Sequence, residues 1–322
     1  MRRGLHPAQL AVIVNSADPL SVAIADYYVQ RRHIPAANVA RVAFDPHETT
    51  LSPEEFERLK RQVDSAIPRT VQAYALTWAQ PYRVDCMSIT AAFAFGFDRR
   101  FCASGCQPTA RSPYFNSGTD RPFDDFHLRP AMSIAALNLT QARALIDRGI
   151  FSDGSAPFGA AYLLRTGDYN RDVRAADYPA PQLAAHGRVR VDVIDAPSIV
   201  GRRDILFYFT GAMRVPDLDT NQFLPGAAGD HLTSFGGQLT AMGAQMSSLR
   251  WLEAGATGSY GTVVEPCNFP PKFPNPSVLM LHYLEGETLI EAYWKSVAMP
   301  GQGIFIGEPL AAPFRAVTVG AR

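Results

Sequence analysis

Two patterns alternate along the chain: short unbroken apolar runs, and amphipathic stretches opened by capping residues. Leu10–Asn15 (LAVIVN) is a continuous apolar run, as expected of a strand covered on both faces. Asp18 then offers an N-cap and Pro19 suits the first helical position, which predicts a helix through Tyr27 and Gln30. Val39–Phe44 reads as a second strand. Ser52-Pro53-Glu54-Glu55 makes a capping box with proline at the first position, so a helix is predicted from Pro53 to Ala66. Val71–Trp78 is a third strand. After Thr140, which can cap, a helix runs to Gly149, which closes it. Further strands are predicted at Ala160–Thr166, Arg188–Asp195, Asp204–Gly211, Ala256–Val264 and Gly303–Leu310. Further helices fall around Gln245–Ala254, Ser277–Leu284 and Thr288–Val297.

Strands alternating with helices predict an α/β fold: a three-layer sandwich with a mainly parallel sheet, as one domain over residues 1–322. Residues 81–130 break the pattern with glycine, proline, asparagine and aromatic residues. That segment is too long for a plain connection and is expected to be an ordered, functional insertion. Ligands of such sheets bind outside the carboxyl ends of the strands. The exits to inspect are Asn15-Ser16, Gly211, and Glu265-Pro266-Cys267.

Composition excludes several classes. Thirty basic and thirty acidic residues cancel, leaving no electrostatic footprint for nucleic acid or an anionic membrane. No apolar run reaches the roughly 18 residues of a membrane helix. The start imitates a signal peptide, but its apolar core is only Leu10–Val14, shorter than the about 7–15 residues required, so an export signal is expected to lie outside this chain. The four cysteines, Cys86, Cys102, Cys106 and Cys267, are too few for a disulfide scaffold. Cys102 and Cys106 are expected to bridge if the protein is exported; half a metal site is the weaker option. Gly255–Gly261 has the wrong spacing for a dinucleotide and enters a strand, so no nucleotide and no other cofactor is expected.

Candidate chemistry gathers at the strand exits. Cys267 sits where a strand opens into a loop stiffened by prolines 266, 270, 271, 274 and 276, a placement suited to a nucleophile on a rigid rim. A buried thiol or half of a disulfide would also fit it. His231 is the candidate base, with Asp230 beside it, although adjacent residues rarely point the same way. Gly236 and Gly237 could present amides to an oxyanion, and Ser234 is a weaker alternative nucleophile. Glu265 and Lys272 are candidate substrate-binding residues. Asp217, Asp219 and Asn221 alternate like the start of a cation loop, but Gln222 replaces its glycine and Ala228 its final glutamate; no metal ligands are assigned.

Four unusual words, Val263–Pro276, Asp230–Gly237, Glu291–Val297 and Gly307–Phe314, make the whole chain resemble a family of uncharacterised bacterial proteins of this length, many of them exported. More distantly, the chain is similar to gingipain-like cysteine peptidases of caspase-type fold. The shared order is an apolar strand ending in Thr-Gly, a second exit, a helix, then GATGSYG; Ile306–Leu310 is similar to that family's Gly-Asp-Pro ending. There the first exit bears the histidine and the second the cysteine. Here they read Thr210-Gly211-Ala212-Met213 and Asp230-His231-Leu232-Thr233, so the dyad is not in place. The resemblance implies either lost peptidase chemistry or a relocated pair. The leading expectation is therefore a hydrolase of peptide or other acyl bonds, with Cys267 as nucleophile and His231 as base. Two alternatives stand beside it: a non-catalytic exported protein binding a peptide or small molecule, and metal binding through His231 and Asp230.

Overall fold

The apolar run Leu10–Asn15 forms β1, every residue of it buried. It lies second in a ten-stranded sheet of order β2-β1-β4-β7-β13-β12-β11-β10-β8-β9. The strands are β2 (Val39–Val42), β4 (Ala73–Leu76), β7 (Ala131–Ser133), β8 (Gly159–Arg165), β9 (Val189–Asp195), β10 (Ile205–Thr210), β11 (Phe223–His231), β12 (Gly258–Thr262) and β13 (Gly303–Gly307). A small second sheet joins β3 (Thr50–Leu51), β5 (Arg83–Val84) and β6 (Met87–Ser88). This computed structural model describes residues 4–103, 105–178 and 187–316.

Both blocks of the large sheet are parallel within themselves, and β13 joins them, antiparallel to β12. It meets β7 at one pair, Ile306 with Ser133, a local bridge of parallel type. Strand direction across this seam follows from longer connections. The helix Leu139–Ser152 leaves the carboxyl end of β7, and its last turn reaches the entry of β12, where Arg148 donates to the carbonyls of Leu252 and Ala256. At the other edge Thr240, beyond β11, hydrogen-bonds Gln80, beyond β4. The two blocks therefore point the same way, and β13 runs against both. All parallel strands deliver their exits to one edge, where ligands of such sheets bind.

Helices cover both faces, which makes an α/β sandwich. Consecutive residues of β10 show the division: Phe207 packs on Tyr283 of the helix Pro276–Leu284, while Tyr208 meets Trp251 of the helix Leu249–Glu253 at 5.0 Å. On the Phe207 side, Trp294 of the helix Leu289–Ser296 stacks on Phe305 at 4.4 Å. On the Tyr208 side lie Leu139–Ser152 and Pro19–Arg32, tied by Tyr27 to Asp147 at 2.8 Å. As expected, Asp18 caps the latter helix through Leu20 N, and Ser52 caps Pro53–Ala66 through Glu55 N.

Several predicted elements shift. Asn138, not Thr140, caps its helix, and Gly149 does not close it. Gly149 is there because a Cβ would stand 2.6–2.8 Å from the Glu308 side chain. Glu308, fully buried, accepts from Tyr28 Oη at 2.7 Å and Arg32 Nε at 3.0 Å, locking the end of β13 to the first helix. The helix expected at Gln245–Ala254 shrinks to Leu249–Glu253. The segment 81–130 is more regular than its composition suggested. It holds the helix Ile89–Phe95, capped by Ser88, whose Phe93 packs edge-on to Phe56, Tyr74 and Trp78.

Candidate functional site

Asp230 and His231 end β11, and the pleat sends them apart. Asp230 is fully buried on the Phe209 side, where Arg174 Nη1 donates to its Oδ1 at 2.5 Å. Arg174 also donates to the carbonyls of Thr210 and Pro274, at 3.1 and 3.3 Å, and its guanidinium lies 5.2 Å from the Phe209 ring. Burial pushes the Asp230 carboxyl up from its ordinary range while the guanidinium pulls it down. His231 faces the other layer. Its Nδ1 accepts from Trp251 Nε1 at 2.9 Å, which leaves Nε2 to donate to the Met246 carbonyl at 3.0 Å. Burial pushes this histidine down to about 4. With both nitrogens committed and the ring neutral, His231 is a structural post and not a general base. Asp230 does not orient it.

Cys267 is half of a disulfide. It bonds to Cys106 across 161 residues, with Cα atoms 5.4 Å apart. Cys102 pairs with Cys86 instead, so the expected Cys102–Cys106 bridge does not form. All four cysteines are bonded, and a disulfide sulfur is not a thiolate nucleophile. The relocated Cys267–His231 pair is thereby overturned twice, by the bond on the sulfur and by the burial of the ring. The bridge instead ties the 81–130 insertion to the loop after β12.

Between these loops the exits of β8, β11 and β12 enclose a cleft of about 400 Å³. The exits of β11 and β12 thus meet in one cleft. The β10 exit lies just beneath: a Cβ on Gly211 would stand 2.1 Å from the Arg171 carbonyl oxygen, so only glycine fits there. The β8 side supplies Asn170 and Arg171, the β11 side Thr233 and Ser234, and the β12 side Glu265 and Asn268. Cys106, Cys267 and Phe273 are further walls, and no histidine is among them. Arg171 Nη1 pairs with Asp168 at 2.8 Å and its Nε donates to Thr233 Oγ1 at 3.3 Å. Glu265 Oε1 accepts the Cys267 amide at 2.8 Å. With three inter-strand spacings between β8 and β12, Arg171 and Glu265 stand on loops whose strands are roughly 14 Å apart.

The remaining expected residues divide. Gly237 packs on backbone, where a Cβ would stand 2.6 Å from the Gly261 carbonyl oxygen, and its amide donates to Thr262. That amide is spent inside the fold and is not offered to an oxyanion. A Cβ on Gly236 would stand 3.2 Å from Ser248 Oγ; its neighbour Ser234 lines the cleft. Lys272 is fully buried 5.6 Å from the Phe269 ring and is not a wall of the cleft. Burial pushes its ammonium down, and Glu265 opposes this. In the suspected cation loop Asp219 is held by Arg250 and Asp217 by Ser198, so internal partners take both carboxylates.

No protein-family model and no curated protein matches the chain. A solved structure described as "Structure of Protease" is similar at 11% identity, with a TM-score of 0.49, over 96% of this chain and 79% of that one. At that identity and score the likeness assigns no residue a role. No helix among the described residues is long and apolar enough to cross a membrane.

Proposed function

We propose that this protein is a non-catalytic binding protein of an oxidising compartment, built on a caspase- or gingipain-like sandwich whose peptidase chemistry is lost. The observation that carries the reading is the Cys106–Cys267 bond in the wall of the cleft. It blocks the one exit cysteine, and pairs of this kind persist in exported proteins. The cleft is of the size that holds a small ligand. Arg171 and Glu265 stand on its two sides, an arrangement that suits a small polar molecule carrying both charges, with Ser234 and Asn268 as hydrogen-bonding groups.

Two assays test this. Fluorogenic peptides and esters are expected to show no turnover with or without a dithiol reductant. Turnover that appears on reduction and vanishes in Cys267→Ser would restore the hydrolase. A thermal-shift screen of amino acids and dipeptides is expected to yield a stabilising compound whose effect is lost in Arg171→Gln and in Glu265→Gln. Stabilisation that survives both changes would place the ligand elsewhere.

A further inference from the structure

His282 lies in the last turn of the helix Pro276–Leu284, and Glu285 and Glu287 sit in the turn that leads to the helix Leu289–Ser296. Each of the three offers one ligand atom, and these atoms lie within 4.8 Å of one another. We propose that this turn binds a divalent transition-metal ion, zinc by its donor set, which staples it to the 81–130 insertion. The site stands apart from the cleft. Arg188, at the entry of β9, donates to the Leu284 carbonyl at 2.7 Å, which puts the turn at the opposite edge of the sheet. The proposal therefore does not depend on how the cleft is read.

His282 is 5% exposed, and both of its ring nitrogens face oxygens. Nδ1 stands 3.1 Å from Glu287 Oε1, and Nε2 stands 3.1 Å from Asn116 Oδ1. A neutral imidazole has one N–H to give. Given to Asn116, it leaves the Nδ1 lone pair aimed at a carboxylate oxygen, a buried acceptor without a donor, and a cation between the two resolves the conflict. Neighbouring ligands of a tetrahedral zinc stand about 3.3 Å apart, close to this Nδ1–Oε1 separation. The outer contacts suit a metal as well. Asn116 Oδ1, taking the Nε2 proton, fixes the tautomer that leaves Nδ1 for the ion. Lys295 Nζ, 2.7 Å from Glu287 Oε2, holds that carboxylate with its other oxygen toward the ring. Gly286, at φ +95°, turns the chain between the two glutamates, and exposed Glu285 supplies the third ligand from the solvent side. Water can take the fourth position. Two carboxylates against one ammonium leave negative charge for a divalent ion. An imidazole nitrogen with carboxylate oxygens suits zinc, whereas calcium and magnesium take oxygen alone.

The test is calorimetric titration of the intact, oxidised protein, stripped with EDTA and freed of chelator, with zinc chloride and with calcium chloride. Zinc is expected to bind at one site per chain and to raise the melting temperature; calcium is expected to do neither. Asn116→Ala removes the acceptor that fixes the tautomer and should weaken zinc binding by about 10–100-fold. Glu285→Gln removes a ligand and should weaken it by about as much or more. Both positions are exposed, so the stripped variants are expected to melt with the stripped parent. Failure of zinc to bind would mean that a proton fills the gap, with His282 an imidazolium, and overturns the proposal. Zinc binding unchanged in either variant places the ion elsewhere and overturns it too. So does calcium binding as tightly as zinc.

Discussion

Asp230 and His231 are consecutive residues at the end of β11, and they are held by opposite layers of the protein. Arg174 grips the first and Trp251 the second. A pair that looks like an acid orienting a base is two separate anchors, one for each helical layer.

The histidine anchor makes stability depend on pH. His231 is neutral when folded, held at about 4, while the unfolded chain protonates near 6.5. The unfolded state therefore binds more protons between those values, and stability is full above about pH 6.5 and falls as pH drops toward 4. The depression corresponds to about 3 kcal/mol. Urea unfolding at pH 7.5 and 4.5 is expected to show this loss, and His231→Gln should flatten it by that amount. An unchanged pH slope in the variant would refute the assignment.

The other anchor is a buried ion pair. Asp230→Asn leaves the Arg174 guanidinium uncompensated and is expected to cost about 3–5 kcal/mol. Replacing both partners with Met and Leu should recover most of that loss, because the desolvation cost goes with the charges. A single variant as stable as the parent would show that the pair carries no such burden.

The sheet was legible because its strands announce themselves as unbroken apolar runs, as in Leu10–Asn15 and Ile205–Thr210. β11 was missed because Pro225, Gly226 and Gly229 interrupt it. Gly229 is there for packing, since a Cβ would stand 2.8 Å from the Trp251 ring. That hidden strand is why Asp230 and His231 read as a loop and as a site. The Cys106–Cys267 bond spans 161 residues, and spacing carries no signal for a contact made by tertiary folding, whereas Cys102 and Cys106 looked paired because they are close in sequence. Arg171 and Arg174 went unnoticed behind β8, although Thr166-Gly167 marks a strand exit as plainly as Thr210-Gly211 does.

The hydrophobic core joins residues from Leu5 to Ala311 through both blocks of the sheet. We expect one folding unit. Limited proteolysis of the oxidised protein should give no stable half, and a cut in 81–130 should leave its fragments bonded until reduction. Release of two folded halves without reductant would contradict this.

The two disulfides should differ in worth. By the loop-closure model, the 161-residue bridge contributes about 5 kcal/mol and the 16-residue bridge about 3. Cys106→Ser/Cys267→Ser should therefore destabilise more than Cys86→Ser/Cys102→Ser in denaturant unfolding. The reverse order would mean that the cleft bridge does little to hold the fold.

The central claim is that Cys267 is a bonded wall of the cleft and not a nucleophile. Peptide mapping of the unreduced protein, after alkylation at mildly acidic pH, tests it most directly. The account predicts no alkylated cysteine and two linked peptides, Cys86 with Cys102 and Cys106 with Cys267. Rapid alkylation of Cys267 under those conditions would reveal a reactive thiolate and contradict the account.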